Sequence, residues 1–132
     1  MIVVDSSALC AVFFNEPEKN AFQAILDGDE RCVLSAVNAH ETACVLRGKF
    51  GQAAVEEFWQ WLTDNRIEIV PFDAVQAREA AATFDRYGKG IAQKARLNLS
   101  DCAAYALAKT MNAPLLFKGN DFAETDIKGA AW

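Results

Sequence analysis

The chain predicts an α/β fold with a central, mainly parallel sheet and helices on both faces. Two observations lead there. Short apolar strand signals alternate with helix signals from one end of the chain to the other. Aspartates also stand at or just beyond the carboxyl ends of those strands, where open parallel sheets carry their sites.

The elements follow in order. IVV is an apolar first strand that runs into Asp5. SALCAVFF is a short helix that stops at NEP, because the residue before Pro17 is pushed out of helical geometry. Pro17 suits the first turn of the next helix, PEKNAFQAILDG, in which Phe22, Ile25 and Leu26 share a face and Gly28 closes the element. RCVLS is a second strand, and Ser35 is placed to cap AVNAHETACVLRGK. Gly51 opens GQAAVEEFWQWLTDN, with Val55, Phe58, Trp59 and Leu62 at helical spacing. IEIVPF is a third strand of alternating polarity, and Asp73 caps DAVQAREAAATFDRYG. The breaker-rich stretch GKGIAQKARLNL leads to Ser100, read as the cap of the apolar helix DCAAYALAKTM. PLLF is a fourth strand, continued directly by GNDF.

At 132 residues the chain fits one domain, residues 1–132, and 52% apolar residues suffice for a core. The net charge of −5 weighs against a nonspecific nucleic-acid coat but not against an enzyme whose acids are gathered in one site. Cys10, Cys32, Cys44 and Cys102 make no CxxC pair, and His40 is the lone histidine, so no zinc cluster is spelled out. The cysteines are expected to be reduced, buried thiols. No signal peptide is visible, and the longest apolar run, ALCAVFF, is too short to cross a bilayer. The expectation is a cytoplasmic protein with no membrane contact.

Four acids stand out: Asp5, Glu41, Asp101 and Asp121. Asp5 ends the first strand and also sits where a helix cap belongs. Glu41 shares a helical face with Val37, Cys44 and Val45, where a carboxylate is costly unless paired or metal-bound. The bland reading puts Glu41 at the edge of that stripe, reaching solvent. Asp101 opens the most apolar helix, where the helix dipole also welcomes an acid. Asp121 lies just past the fourth strand. Converging carboxylates repel unless a cation is present, and a site of oxygen ligands suits Mg²⁺ or Mn²⁺. No serine or cysteine nucleophile with a histidine base is apparent.

VVDSSAL, AHETACVL, LSDCAAYALA and LLFKGNDFAETDI together resemble the PIN-domain ribonucleases, and most closely the VapC-type toxins of bacterial toxin–antitoxin pairs. The resemblance covers essentially the whole chain. It implies a three-layer α/β/α sandwich with a sheet of four to five strands. It also implies Mg²⁺-dependent endonucleolytic cleavage of RNA, with Asp5, Glu41, Asp101 and Asp121 as catalytic and metal-binding residues. Ser7 would support the site or its turn, and Asp126 is either a distal acid of the site or a structural residue. The implied partners are RNA, a VapB-type antitoxin and a second copy of the chain, in a homodimer that becomes a heterotetramer or larger assembly with antitoxin.

The segment RYGKGIAQKAR places Arg86, Lys89, Lys94 and Arg96 ahead of Asp101 with no acid among them, an expected phosphate contact. Tyr87 within it could stack on a base or pack. Phe58 and Trp61 widen the apolar stripe of their helix beyond one core contact and are candidates for antitoxin binding. A receiver-type signalling domain also gathers acids around Mg²⁺, but only Asp5 stands where such domains have an acidic pair. The remaining alternative is a noncatalytic PIN-like module that binds RNA or protein.

Overall fold

The computed structural model describes residues 1–132. Four strands and six helices follow one another as β1 (Ile2–Val4), α1 (Ser6–Phe13), α2 (Lys19–Leu26), β2 (Cys32–Ser35), α3 (Ala36–Phe50), α4 (Gln52–Asp64), β3 (Glu68–Val70), α5 (Ala74–Tyr87), α6 (Leu99–Thr110) and β4 (Leu115–Leu116). The sheet is wholly parallel, in the order β3-β2-β1-β4.

That order follows from handedness. From β1 the chain steps outward to β2 and β3, then returns across the sheet to β4. Right-handed crossovers in opposite directions must lie on opposite faces. Alternate residues of the central strand divide accordingly. Ile2 and Val4 enter a core with Leu9, Phe22, Leu46, Phe58 and Leu62 from α1–α4. Val3 enters a second core with Val33, Leu107 and Leu115, against α5 and α6. The result is the expected α/β/α sandwich. A fifth strand is reduced to one bridge: Leu115 N–H donates to Lys128 O (2.9 Å), and Ala130 N–H donates to Leu115 O (2.8 Å). This pairing covers part of the β4 edge. No helix is long and apolar enough to cross a membrane.

Local signals were largely realised. Ser35 caps α3 by accepting from Val37 N–H, and Asp73 caps α5 by accepting from Gln76 N–H at 3.0 Å. Gly51, at φ +91°, turns the chain between α3 and α4 in a conformation that L side chains avoid. Two local readings change. Asn98, not Ser100, caps α6, in a reciprocal box with Asp101. Asn98 Oδ1 accepts from Asp101 N–H (2.8 Å), and Asp101 Oδ2 accepts from Asn98 N–H (3.0 Å). The buried face of α3 is Asn38, Ala39, Thr42, Ala43 and Leu46, so Val37, Cys44 and Val45 do not form the core stripe.

The cysteines divide as well. Cys32 and Cys102 are buried, Cys10 is half-buried and Cys44 is exposed next to exposed His40, so uniform burial does not hold. Phe58 is 1% exposed and belongs to the core, which corrects its assignment to a docking surface. Trp61 is half-buried, its ring edge-on to Phe13 at 4.9 Å. The face of α4 turned outward belongs instead to Trp59.

Replacing Phe58 with Ala is expected to cost about 3–5 kcal/mol of stability, as large aromatic truncations in a packed core do. Trp59→Ala, on the exposed side of the same helix, should stay within about 1 kcal/mol. Urea unfolding of both variants checks the assignment of these two faces.

Candidate active site

Asp5 ends β1 and at once caps α1. Its Oδ2 accepts from Ser7 N–H at 3.0 Å and from Ser7 Oγ at 2.6 Å. The Ser7 hydroxyl in turn accepts from Lys118 N–H at 2.9 Å, which ties the end of β1 to the segment leaving β4. Capping and convergence are therefore not alternatives: one carboxylate does both. Asp5 is 3% exposed, yet no cation of the chain pairs with it.

Three other elements bring acids toward it. Glu41 lies on the half-exposed flank of α3, at the edge of the buried face, but turns to Ser100 and not out to solvent. Its Oε2 accepts from Ser100 Oγ at 2.5 Å, so it is held toward the start of α6. Asp101 occupies the first turn of α6 and is buried. Asp121 is exposed, two residues beyond Gly119, whose φ of +97° turns the chain after β4.

The electrostatics show that these groups sense one another. Burial pushes the Asp5 carboxyl up to about 7, against the two Ser7 hydrogen bonds, and the charges of Asp101 and Glu41 push it further. Burial likewise lifts Asp101 to about 6 against the Asn98 hydrogen bond, with Asp121 and Glu41 adding repulsion. Burial raises the Cys10 thiol to about 11, reinforced by Glu41 and Asp5, so it is no nucleophile.

No three of these side chains close into a ready-made cage. Mg²⁺ does not require one: it keeps several waters and takes one or two carboxylates directly. An oxygen-only set of acids, two of them buried without a cationic partner, suits such an ion, and Asp5, Asp101, Glu41 and Asp121 are the residues that would hold it.

Asn38 is the residue that sequence reasoning missed. Fully buried on α3, its Nδ2 donates to Ser6 Oγ (2.9 Å) and Ser100 O (3.2 Å) and lies 3.4 Å from Asp5 Oδ1. One amide thus ties together the three elements that carry Asp5, Glu41 and Asp101. The signal was available: Asn38 and Thr42, four apart, are polar on a helix that must cover a sheet.

Asp126 stands apart from the acids. It accepts from the Tyr105 hydroxyl and pairs with Lys109 at 3.2 Å and Arg86 at 3.9 Å, so it is the structural residue of the two readings. The Tyr105 hydrogen bond and these cations lower its pKa. Arg86 is committed there and lies 4.7 Å over the Tyr87 ring, while Tyr87 packs on Tyr105 at 5.8 Å. Tyr87 is thus a packing residue. Lys89, Lys94 and Arg96 are exposed on the loop that leads into α6.

A wholly parallel sheet with acids gathered where its strand order reverses is an open α/β arrangement whose crevice lies beyond the carboxyl ends of the strands. The PIN domain family model matches residues 2–128. The Mycobacterium tuberculosis protein "Ribonuclease VapC30" is 40% identical over 130 residues, 98% of each chain. The structure of VapC20 from M. tuberculosis, described as a sarcin-ricin loop cleaving toxin, superposes with a TM-score of 0.81 at 13% identity, covering 98% of both chains. A toxin–antitoxin complex from Klebsiella pneumoniae gives a TM-score of 0.72 at 17% identity, over 96% of this chain and 93% of that one. The chain belongs to the PIN-domain family, as a VapC-type member.

Because the Asp5 and Asp101 values lie above those of the unfolded chain, protonation stabilises the metal-free fold. That contribution is complete below about pH 4 and is lost as pH rises through 6 to 7. In EDTA, stability should fall by about 4 kcal/mol between pH 5 and pH 8, about two-thirds of it from Asp5. Asp5→Asn, which keeps the capping oxygen, should flatten most of that slope. Urea unfolding across this range tests it.

Proposed function

We propose that the chain is a Mg²⁺-dependent endoribonuclease toxin restrained by a VapB-type antitoxin, with Mn²⁺ able to replace Mg²⁺. The carrying observation is the buried, cation-free Asp5, raised by burial and by Asp101 and Glu41. In this reading Asp5, Asp101 and Glu41 hold one ion, directly or through water. Asp121 completes the site or helps to place a second ion when RNA is bound. When present, the metal supplies Lewis acidity, making water a better nucleophile and offsetting charge on the scissile phosphate. Ser7 fixes the orientation of the Asp5 carboxylate, and a neighbouring carboxylate accepts the proton of the attacking water. Exposed Lys89, Lys94 and Arg96 contact RNA phosphates. Arg86, at the end of α5 and 3.9 Å from Asp126, joins them from the helix side.

The VapC name of the 40% identical relative supports ribonuclease activity, and the Klebsiella complex supports an antitoxin partner. We assign the antitoxin to the groove of about 430 Å³ that Phe13, Leu46, Phe50 and Trp61 line. The toxin itself is taken as a homodimer, a heterotetramer or larger with antitoxin, acting on RNA in the cytoplasm.

Antitoxin-free protein should cleave RNA in Mg²⁺ and stop in EDTA. Asp5→Asn should lose more than the ~10–100-fold that outer-sphere partners of a metal typically contribute. Cleavage unaffected by EDTA and by this substitution would favour the noncatalytic RNA- or protein-binding module, with the activity owed to a contaminant.

A further inference from the structure

We propose that Ser100 is a positioning residue whose hydroxyl aims Glu41 into the acidic site; the inference rests on the metal-site reading above. A glutamate on the half-exposed flank of a helix has several rotatable bonds and water within reach, so its default is to swing outward. Glu41 does not. Its Oε2 accepts from Ser100 Oγ at 2.5 Å, a charge-assisted bond from a residue 59 positions away in sequence.

Ser100 is equipped for this role. It is 6% exposed, and its carbonyl is held by Asn38 Nδ2 at 3.2 Å. Asn38 also lies 3.4 Å from Asp5 Oδ1, so the hydroxyl is placed relative to Asp5 as well. The hydroxyl has one proton and two acceptors in range, Glu41 Oε2 at 2.5 Å and Asn98 Oδ1 at 2.9 Å. The charged and shorter acceptor takes it. Asn98 Oδ1 loses nothing, since Asp101 N–H already donates to it at 2.8 Å. The start of α6 is therefore capped without Ser100, and the contact that its hydroxyl alone supplies is Glu41.

The chemistry of the donor also fits. A lysine or arginine at this position would orient Glu41 but would put a positive charge where a cation is to bind. A neutral hydroxyl orients the carboxylate and leaves its charge available.

The test uses full-length, antitoxin-free protein and Mn²⁺ as probe, with free Mn²⁺ read by electron paramagnetic resonance. Ser100→Ala should weaken Mn²⁺ binding about 10-fold, the scale of outer-sphere partners. Ser100→Thr, which keeps the hydroxyl, should stay within about 3-fold of wild type by the same measure. On a Glu41→Ala background, which removes the acceptor, Ser100→Ala should add no further loss, because the coupling runs through Glu41. Circular dichroism should not change, and the urea midpoint in EDTA should fall only by what the loss of one part-buried hydrogen bond costs. Should Ser100→Ala fail to fold, Ser100→Cys carries the same comparison with a near-isosteric, weak donor. Wild-type affinity in Ser100→Ala, or an equal further loss on the Glu41→Ala background, overturns the role of Ser100 and leaves the metal reading intact. A wild-type protein that binds no Mn²⁺ overturns the metal reading, and this inference with it.

Discussion

A carboxylate buried at the end of the central strand is the constraint on which the site depends. Asp5 is nearly sealed from water, has no cationic partner, and is kept in place by Ser7 and by the nearby Asn38 amide. Those contacts favour its charged form but do not outweigh burial, and its pKa rises to about 7. An isolated buried charge is costly, so the protein either takes up a proton there or takes up a cation. The proposed metal site would relieve that cost.

Topology explains why the other acids arrive at the same place. β1 lies between β2 and β4, and the crossovers on its two sides use opposite faces of the sheet. The crevice at such a reversal opens above the carboxyl ends of the strands. Asp5 comes from β1, Glu41 from the helix after β2, Asp101 from the helix before β4 and Asp121 from the turn after β4. Asp5 follows β1 directly, Asp121 lies in the turn after β4, and Asp101 is held in the first turn of α6. Glu41 stands nearly two turns into α3, and it is the one whose aim needs the Ser100 hydroxyl.

The sequence made the architecture legible because strands here are short apolar runs and helices are well punctuated. Ser35, Gly51 and Asp73 each act locally, so their effects can be read without knowing the tertiary neighbours, whereas Pro17 stands before the cap of α2 and not in its first turn. The acids were legible for a related reason: a carboxylate at a strand end or beside small apolar residues is conspicuous. What was not legible depends on long-range packing. The buried face of α3 is polar at Asn38 and Thr42, so a search for apolar periodicity chose the wrong stripe. Ser100 looked like a cap because Asn98, two residues earlier, competes for the same role and wins through Asp101. Asp126 could be separated from the site only once Tyr105, Lys109 and Arg86 were seen around it. Phe58 and Trp59 are neighbours in sequence, and which of them turns inward depends on the docking angle of α4.

The central claim is that the site is an electrostatically loaded cluster awaiting a divalent cation. The most direct measurement is the titration of the Asp5 side-chain carboxyl by carbon-13 NMR, with and without Mg²⁺. The account predicts a midpoint of about 7 in the metal-free protein and a fall to the ordinary carboxylate range, about 4 or below, when Mg²⁺ is added. A metal-free midpoint near 4 that Mg²⁺ does not shift would contradict it.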